Sequence, residues 1–241
     1  MAEFDRPSVA ARPGAAVVDQ GLRSYMLRVY NYMGLGLVVT GVVAYFFSNW
    51  AISSQENFAL VYQGPLHWVV MLAPLAFVLV LSFGIQRLSV GAAQALFWAF
   101  AAVMGLSLSS IFLVYTLTSI TQVFFISAAT FLAMSLYGYT TKRDLTQFGS
   151  FLIMGLIGIV IASIVNIFLH SSGLGFAISI IGVLVFVGLT AWDTQRIKES
   201  YDVGFGHEVL QKGAIMGALS LYLDFINLFL MLLRLFGSQR N

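Results

Sequence analysis

No cysteine occurs anywhere in the 241 residues. Its absence removes disulfides, CxxC haem attachment, thiolate metal sites and cysteine nucleophiles together. Charge is nearly as scarce. Asp, Glu, Lys and Arg make up 9% of the chain, against roughly 25% in a soluble globular domain. A water-soluble fold of this size would have too few polar residues to cover its surface. The net charge of +2 is too small for the basic surface that phosphate contacts need, so no nucleic-acid partner is expected. What the chain has instead is apolar bulk: 59% of its residues are hydrophobic and the mean hydropathy is +0.90.

That bulk is arranged in runs. A spanning helix needs about 20 mainly apolar residues, and seven stretches qualify, near Val29–Phe47, Trp68–Gln86, Ala92–Tyr115, Ile120–Thr140, Phe148–Leu169, Phe176–Thr194 and Ala214–Phe236. Barrel strands would alternate apolar and polar residues, whereas these runs are apolar on every side. The expected fold is an all-α integral membrane protein with seven transmembrane helices. Residues 1–28 are polar and basic, with Pro7, Pro13 and Gly14, and read as a flexible tail. No apolar core of the signal-peptide kind precedes Val29, so no cleavage is expected. Residues 29–236 form the membrane domain and 237–241 a short C-terminal tail.

Lys and Arg set the orientation. Arg6, Arg12, Arg23 and Arg28 precede the first span. Arg87 follows the second, Lys142 and Arg143 follow the fourth, and Arg196, Lys198 and Lys212 lie between the sixth and seventh. With seven crossings these ten share one side. The opposite loops, Ser48–His67, Thr116–Ser119 and His170–Gly175, hold none. Positive residues favour the cytoplasm, which places the N-terminus there. Arg234 and Arg240 go against the rule and leave open a last helix that dips in and returns. Trp50, Trp68, Tyr137, Tyr139 and Trp192 stand where interfacial aromatic belts belong.

Eight of the ten acidic residues fall in the tail or loops. Asp193 and Asp224 do not. Asp224 lies about ten residues from Arg234 and twelve from Lys212, roughly 15–18 Å from either at 1.5 Å per residue, near mid-bilayer. A charge there costs on the order of 2.5–3.5 kcal/mol, so the residue is paired, protonated or facing water. Asp193 sits shallower, one turn before Arg196, which is a candidate ion-pair partner. Asp193 and Asp224 meet only if the seventh helix enters near Gly217 and the sixth continues to about Lys198. Two carboxylates together in a low dielectric cannot both ionise cheaply and titrate as a unit. Arg87 is the candidate cation from the second helix, with membrane anchoring as its other reading. Gly213 and Gly217 form a G-x-x-x-G pair suited to close helix packing. Asn31, Gln94, Asn166 and Asn227 are expected to hydrogen-bond between helices. His67, His170 and His207 show no metal-site spacing.

The segments FVGLTAWDTQRIKESY and LSLYLDFINLFLMLLRLFG resemble the sixth and seventh helices of the Bax inhibitor family, closest to its bacterial inner-membrane members. FGIQRLS, MGLSLSSIFLVYT and AMSLYGYTTKRDLT are similar to the same group, and the resemblance runs from about residue 25 to 237. It implies seven helices with the last at the centre of the other six. It also implies a bacterial inner-membrane location and a passive Ca²⁺ leak that responds to pH. The family's acidic pair falls on Asp193 and Asp224, and the arginine that latches onto it falls on Arg87. Two carboxylates supply a minimal site for Ca²⁺, which favours hard oxygen ligands, so Asp193 and Asp224 are also the candidate metal contacts, with Ca²⁺ as transported ion and no resident cofactor.

A second reading is a regulator of other membrane proteins, such as membrane proteases, that transports nothing. A remote third is an intramembrane aspartyl protease, but Asp224 lies in SLYLD rather than a G-x-G-D context, and no P-A-L run follows. There is no H-E-x-x-H and no P-loop. Lys142, Lys198 and Lys212 all lie in loops, which excludes a retinal Schiff base. The chain is expected not to be an enzyme, and its partners are the bilayer, Ca²⁺ or other cations, and other membrane proteins.

Overall fold

Seven long helices carry the chain in a computed structural model that describes residues 13–240. They are α1 (Pro13–Ala51), α2 (Leu66–Gly84), α3 (Val90–Leu108), α4 (Leu117–Thr140), α5 (Thr146–Leu169), α6 (Ser172–Glu199) and α7 (His207–Phe236). All seven are long and apolar enough to cross a membrane. There is no strand among the described residues. The chain is a multi-pass α-helical membrane protein.

The apolar cores fall where hydropathy places them, but the helix ends do not. The tail expected over residues 1–28 is helical from Pro13 onward, and Tyr25 and Met26 are buried; its first twelve residues lie outside the described ones. Proline suits a first helical position, because its missing N–H would be unpaired there anyway. The loop expected at Ser48–His67 holds the end of α1, the short helix Gln55–Phe58 and a π-turn at Ala59–Gln63. The third span breaks at Ser109, whose hydroxyl donates to Leu106 O at 2.7 Å and meets Tyr62 OH at 3.0 Å. A side chain that bonds back to the helix competes with the backbone ladder. The short helix Ile111–Val114 follows.

At the other end of the bundle, α6 and α7 run well past their apolar cores. Arg196 and Lys198 occupy the last turn of α6, where cations suit the negative end of the helix dipole. The first turns of α7 are polar and carry a Glu208–Lys212 ion pair of 2.7 Å.

Helices in lipid associate through close packing of small residues and interhelical hydrogen bonds, because lipid tails are as apolar as leucine. The most buried helix is α7, with 67% of its spanning window inside the bundle, followed by α6 at 50%; α2 and α5 reach 11% each. The principal neighbours of α7 are α6, α1, α4 and α3. α2 packs chiefly on α3, and α5 on α6, which puts these two at the periphery. Small residues permit the close approaches. A Cβ at Gly138 of α4 would collide with the backbone of Ala191 in α6.

The last helix crosses the whole bundle. Thirty residues span about 45 Å at 1.5 Å per residue, more than the roughly 30 Å hydrocarbon core. Beyond it the chain lies across the loop before α4: Thr116 donates its N–H to Ser238 O at 3.1 Å, and Arg240 donates its N–H to Val114 O at 2.9 Å. The opposite end of α4 takes Lys198, whose Nζ donates to Tyr139 O at 2.8 Å. The C-terminus and the α6–α7 loop are therefore at opposite ends. A last helix that dips in and returns is not what the chain forms.

Candidate functional site

The register of α6 against α7 decides which polar residues meet. The two helices run antiparallel, and Gly217 of α7 faces Ile197 of α6, with a Cβ position 3.1 Å from its Cγ2. Farther along, Arg196 Nη2 donates to Ser220 Oγ at 3.5 Å, and Gly182 faces Met231. This register brings Asp193 of α6 level with Asp224 of α7. Both are buried, at 7% and 5% exposure, and their carboxyl groups approach within hydrogen-bonding reach of one another. Of the two conditions set by the sequence, α6 does continue past Lys198, to Glu199, while α7 itself begins before Gly217, at His207.

Among the described residues, one cation reaches the pair. Arg196 Nη2 lies 2.9 Å from Asp193 Oδ1. The contact is an ion pair by distance rather than an aligned hydrogen bond, which is why Oδ1 has no hydrogen-bond donor. The guanidinium also sits over the Trp192 ring, 4.8 Å from its centroid. Trp192 in turn lies flat against α5 at Gly149, where any Cβ would strike the indole. A single α6 turn thus carries the acid, its cation and the ring that backs it. Asp224 Oδ2 is buried and has no hydrogen-bond partner among the described residues.

Arg87, the expected latch, is not the cation at this pair. It lies exposed in the turn after α2, and α2 packs chiefly on α3. The carboxylates face a cleft lined only by α5, α6 and α7. The physical reason is the peripheral seat of α2, while Arg196 needs only the three-residue spacing of its own helix.

The cleft holds about 530 Å³. Its walls are mainly isoleucine, leucine and valine, and its polar groups are Asp193, Asp224, Arg196, Ser163, Ser220 and Asn227. All donors to a metal would be oxygens, the set that hard cations favour. Yet among the described residues no group of three or more metal-ligating His, Cys, Asp or Glu side chains exists. Two carboxylates, one of them held by Arg196, fall short of the six to eight ligands a resident Ca²⁺ takes. No hydroxyl or imidazole is hydrogen-bonded to either carboxylate among the described residues.

The remaining expected residues play supporting parts. Gly213 faces the Tyr25 hydroxyl, 3.1 Å from a Cβ position, and so packs α7 on α1. Gln94 of α3 donates to Tyr32 OH of α1. Asn166 Oδ1 accepts the Ser171 N–H at 3.1 Å across the α5–α6 turn. Asn227 does not bridge helices: its Nδ2 donates to Leu223 O of its own helix at 2.8 Å, because neighbouring α5 offers this face only apolar side chains and Ser163.

Two groups of residues were not singled out from sequence. Gln195 is buried beside Asp193, where its Oε1 accepts the Leu145 N–H and its Nε2 donates to Arg143 O, both at 2.8 Å. It fastens the α4–α5 turn to α6. Thr40 of α1 donates to Ala101 O of α3 at 2.8 Å and accepts from Tyr222 OH of α7 at 2.6 Å. These bonds fix the face of α7 two residues from Asp224. The signal available was polarity inside an apolar run, which Thr and Tyr carry too weakly to stand out.

Comparison with known proteins fits this architecture. The family model described as inhibitor of apoptosis-promoting Bax1 matches residues 22–241. An inner membrane protein, YbhL, of Escherichia coli (strain K12) is 48% identical over 248 residues, covering 100% of both chains. An uncharacterized protein of Rickettsia prowazekii is 52% identical over 223 residues, 92% of this chain and 93% of the relative. A further uncharacterized protein, from Caulobacter vibrioides, is 45% identical over 252 residues with 100% of both chains covered. None of these names indicates an enzymatic activity. With its seven spans, its paired Asp193 and Asp224 and a match over nearly its whole length, the chain belongs to the Bax inhibitor family.

Proposed function

We propose that the protein is a passive, pH-sensitive cation leak, with Ca²⁺ among the ions it passes, in a bacterial inner membrane with the N-terminus cytoplasmic. The observation that carries this reading is the meeting of Asp193 and Asp224 at a cleft between α5, α6 and α7, with Arg196 as their only cation among the described residues. When both carboxylates are charged, they repel each other and hold the guanidinium. Two unit charges about 4 Å apart interact by roughly 4 kcal/mol at an effective dielectric near 20. That is enough to bias a two-state element whose forms differ by a few kcal/mol. A proton on the pair removes the repulsion and loosens the hold on Arg196, and α6 and α7 are then free to shift against each other. Protonation acts as the switch, and the α6–α7 interface is the bistable element.

The test is Ca²⁺ entry into dye-loaded liposomes carrying purified protein. Wild type is expected to leak at acidic pH and to close near neutrality, and Arg196→Gln is expected to leak at both. A folded wild type that passes no more Ca²⁺ than empty liposomes at any pH overturns the leak. A second reading, regulation of other membrane proteins without transport, is favoured by the family's description as an inhibitor of another protein. It predicts a cellular phenotype that survives Asp224→Asn.

A further inference from the structure

The cleft beside the carboxylates runs along the facing sides of α5, α6 and α7, from Arg196 in the last turn of α6 to Ile167 near the end of α5. Its α5 wall runs from Ile153 to Ile167, about 21 Å of helix at 1.5 Å per residue. The outer lip is exposed: Val160, Ile164 and Ile167 are 50%, 52% and 65% accessible. In a bilayer that lip faces lipid. The cleft is thus a lateral groove reached from the membrane, with two acids at its floor.

The floor is short of donors. Asp224 is 95% buried, from its 5% exposure, and its Oδ2 has no hydrogen-bond partner among the described residues. Among the described residues the one cation nearby, Arg196, is committed to Asp193 and to the face of Trp192. A buried acceptor left unpaired carries a penalty of about 1–3 kcal/mol, more when charged. An occupant that completes this site must bring N–H donors and a positive charge to Asp224, and apolar bulk to the rest of the groove. A bare metal ion supplies only the charge. A neutral acyl chain supplies only the bulk. The headgroup of an anionic lipid is repelled by the acids. At about 530 Å³, the groove lies within the roughly 300–1,000 Å³ range of small-molecule sites, which combine apolar walls with a few polar groups.

We propose that this groove binds a long-chain organic cation, a primary ammonium on a single alkyl tail, with Asp224 as its counter-ion and the tail lying along α5. The titratable and charged groups facing the ammonium are Asp224 from α7 and Asp193 and Arg196 from α6; α5 contributes none. Protonation of the acids therefore releases the ligand, and binding weakens at acidic pH. Bound ligand occupies the position that a passing cation would use and blocks the leak. That consequence rests on the leak reading, but the binding does not.

The test uses full-length protein in zwitterionic-lipid nanodiscs and a bromine-tagged dodecylamine, which quenches nearby tryptophan. Trp192 lines the groove, and Trp192→Phe isolates its signal from the other three tryptophans. The expected result is saturable quenching of Trp192 by the amine at neutral pH. It weakens at least about tenfold in Asp224→Asn, or about 1.4 kcal/mol, and also in Ile164→Phe, which narrows the lip without touching the acids. Equal quenching by the brominated alcohol of the same length, or an affinity unchanged in both variants, overturns the proposal. Ca²⁺ entry is measured on the same preparations. Binding without any leak sinks only the leak, and a leak without binding sinks only the amine site.

Discussion

Replacing Thr40 by valine keeps the volume of the side chain and removes its hydroxyl. Thr40 Oγ1 is the acceptor for Tyr222 OH at 2.6 Å, and it donates to Ala101 O at 2.8 Å. Tyr222 is fully buried, with Phe100 and Phe97 edge-on at ring-centroid distances of 5.1 and 6.5 Å. No water can reach the orphaned phenol, so Thr40→Val is expected to cost about 1–3 kcal/mol, the penalty of a buried unsatisfied group. Tyr222→Phe leaves Thr40 bonded to Ala101 and forfeits only one interhelical bond, about 0.6 kcal/mol in a membrane bundle. The double variant removes both partners and is expected to be more stable than Thr40→Val alone. Unfolding in mixed micelles, followed by denaturant titration, gives all three values. A neutral Thr40→Val, or a double variant whose cost equals the sum of the singles, refutes the claim that these bonds pin α7 to α1 and α3.

Other substitutions probe separate contacts. Gly138→Ala places a methyl against the Ala191 backbone and is expected to destabilise by about 1–3 kcal/mol, as overpacking does; thermal unfolding in detergent reads it. Gln195→Leu strands the Leu145 N–H and Arg143 O, so faster proteolysis of the α4–α5 turn is expected. Asp144 accepts the Thr146 N–H at 2.8 Å, and the Thr146 side-chain and backbone hydrogen bonds hold its carboxyl below the ordinary range. A depressed carboxyl stabilises above its unfolded value and loses that contribution as pH falls through the folded one. Wild type and Asp144→Asn should therefore converge in unfolding temperature as pH drops below about 3.9.

The spans were legible because each is a long apolar run, and hydropathy measures little else. Their ends were not. His207–Gly213 is mostly polar yet belongs to α7, where Glu208 pairs with Lys212 one turn on, and hydropathy gives no signal for such a turn. Asp224 was legible as a functional candidate from depth alone, since an ionisable group at mid-membrane needs a reason. Its contact with Asp193 was not legible, because it depends on the α6–α7 register that Gly217 and Ile197 set. Of the two cations the sequence offered, three-residue spacing put Arg196 beside Asp193, where it pairs, whereas Arg87 sits on α2, which packs chiefly on α3.

The most direct test of the account is Ca²⁺ entry into liposomes between about pH 5 and 8, with wild type, Asp193→Asn and Asp224→Asn side by side. The account predicts a wild-type leak that rises as pH falls, and a flat response in both variants. A pH response that persists unchanged in either variant, with the protein folded, contradicts the carboxylate switch.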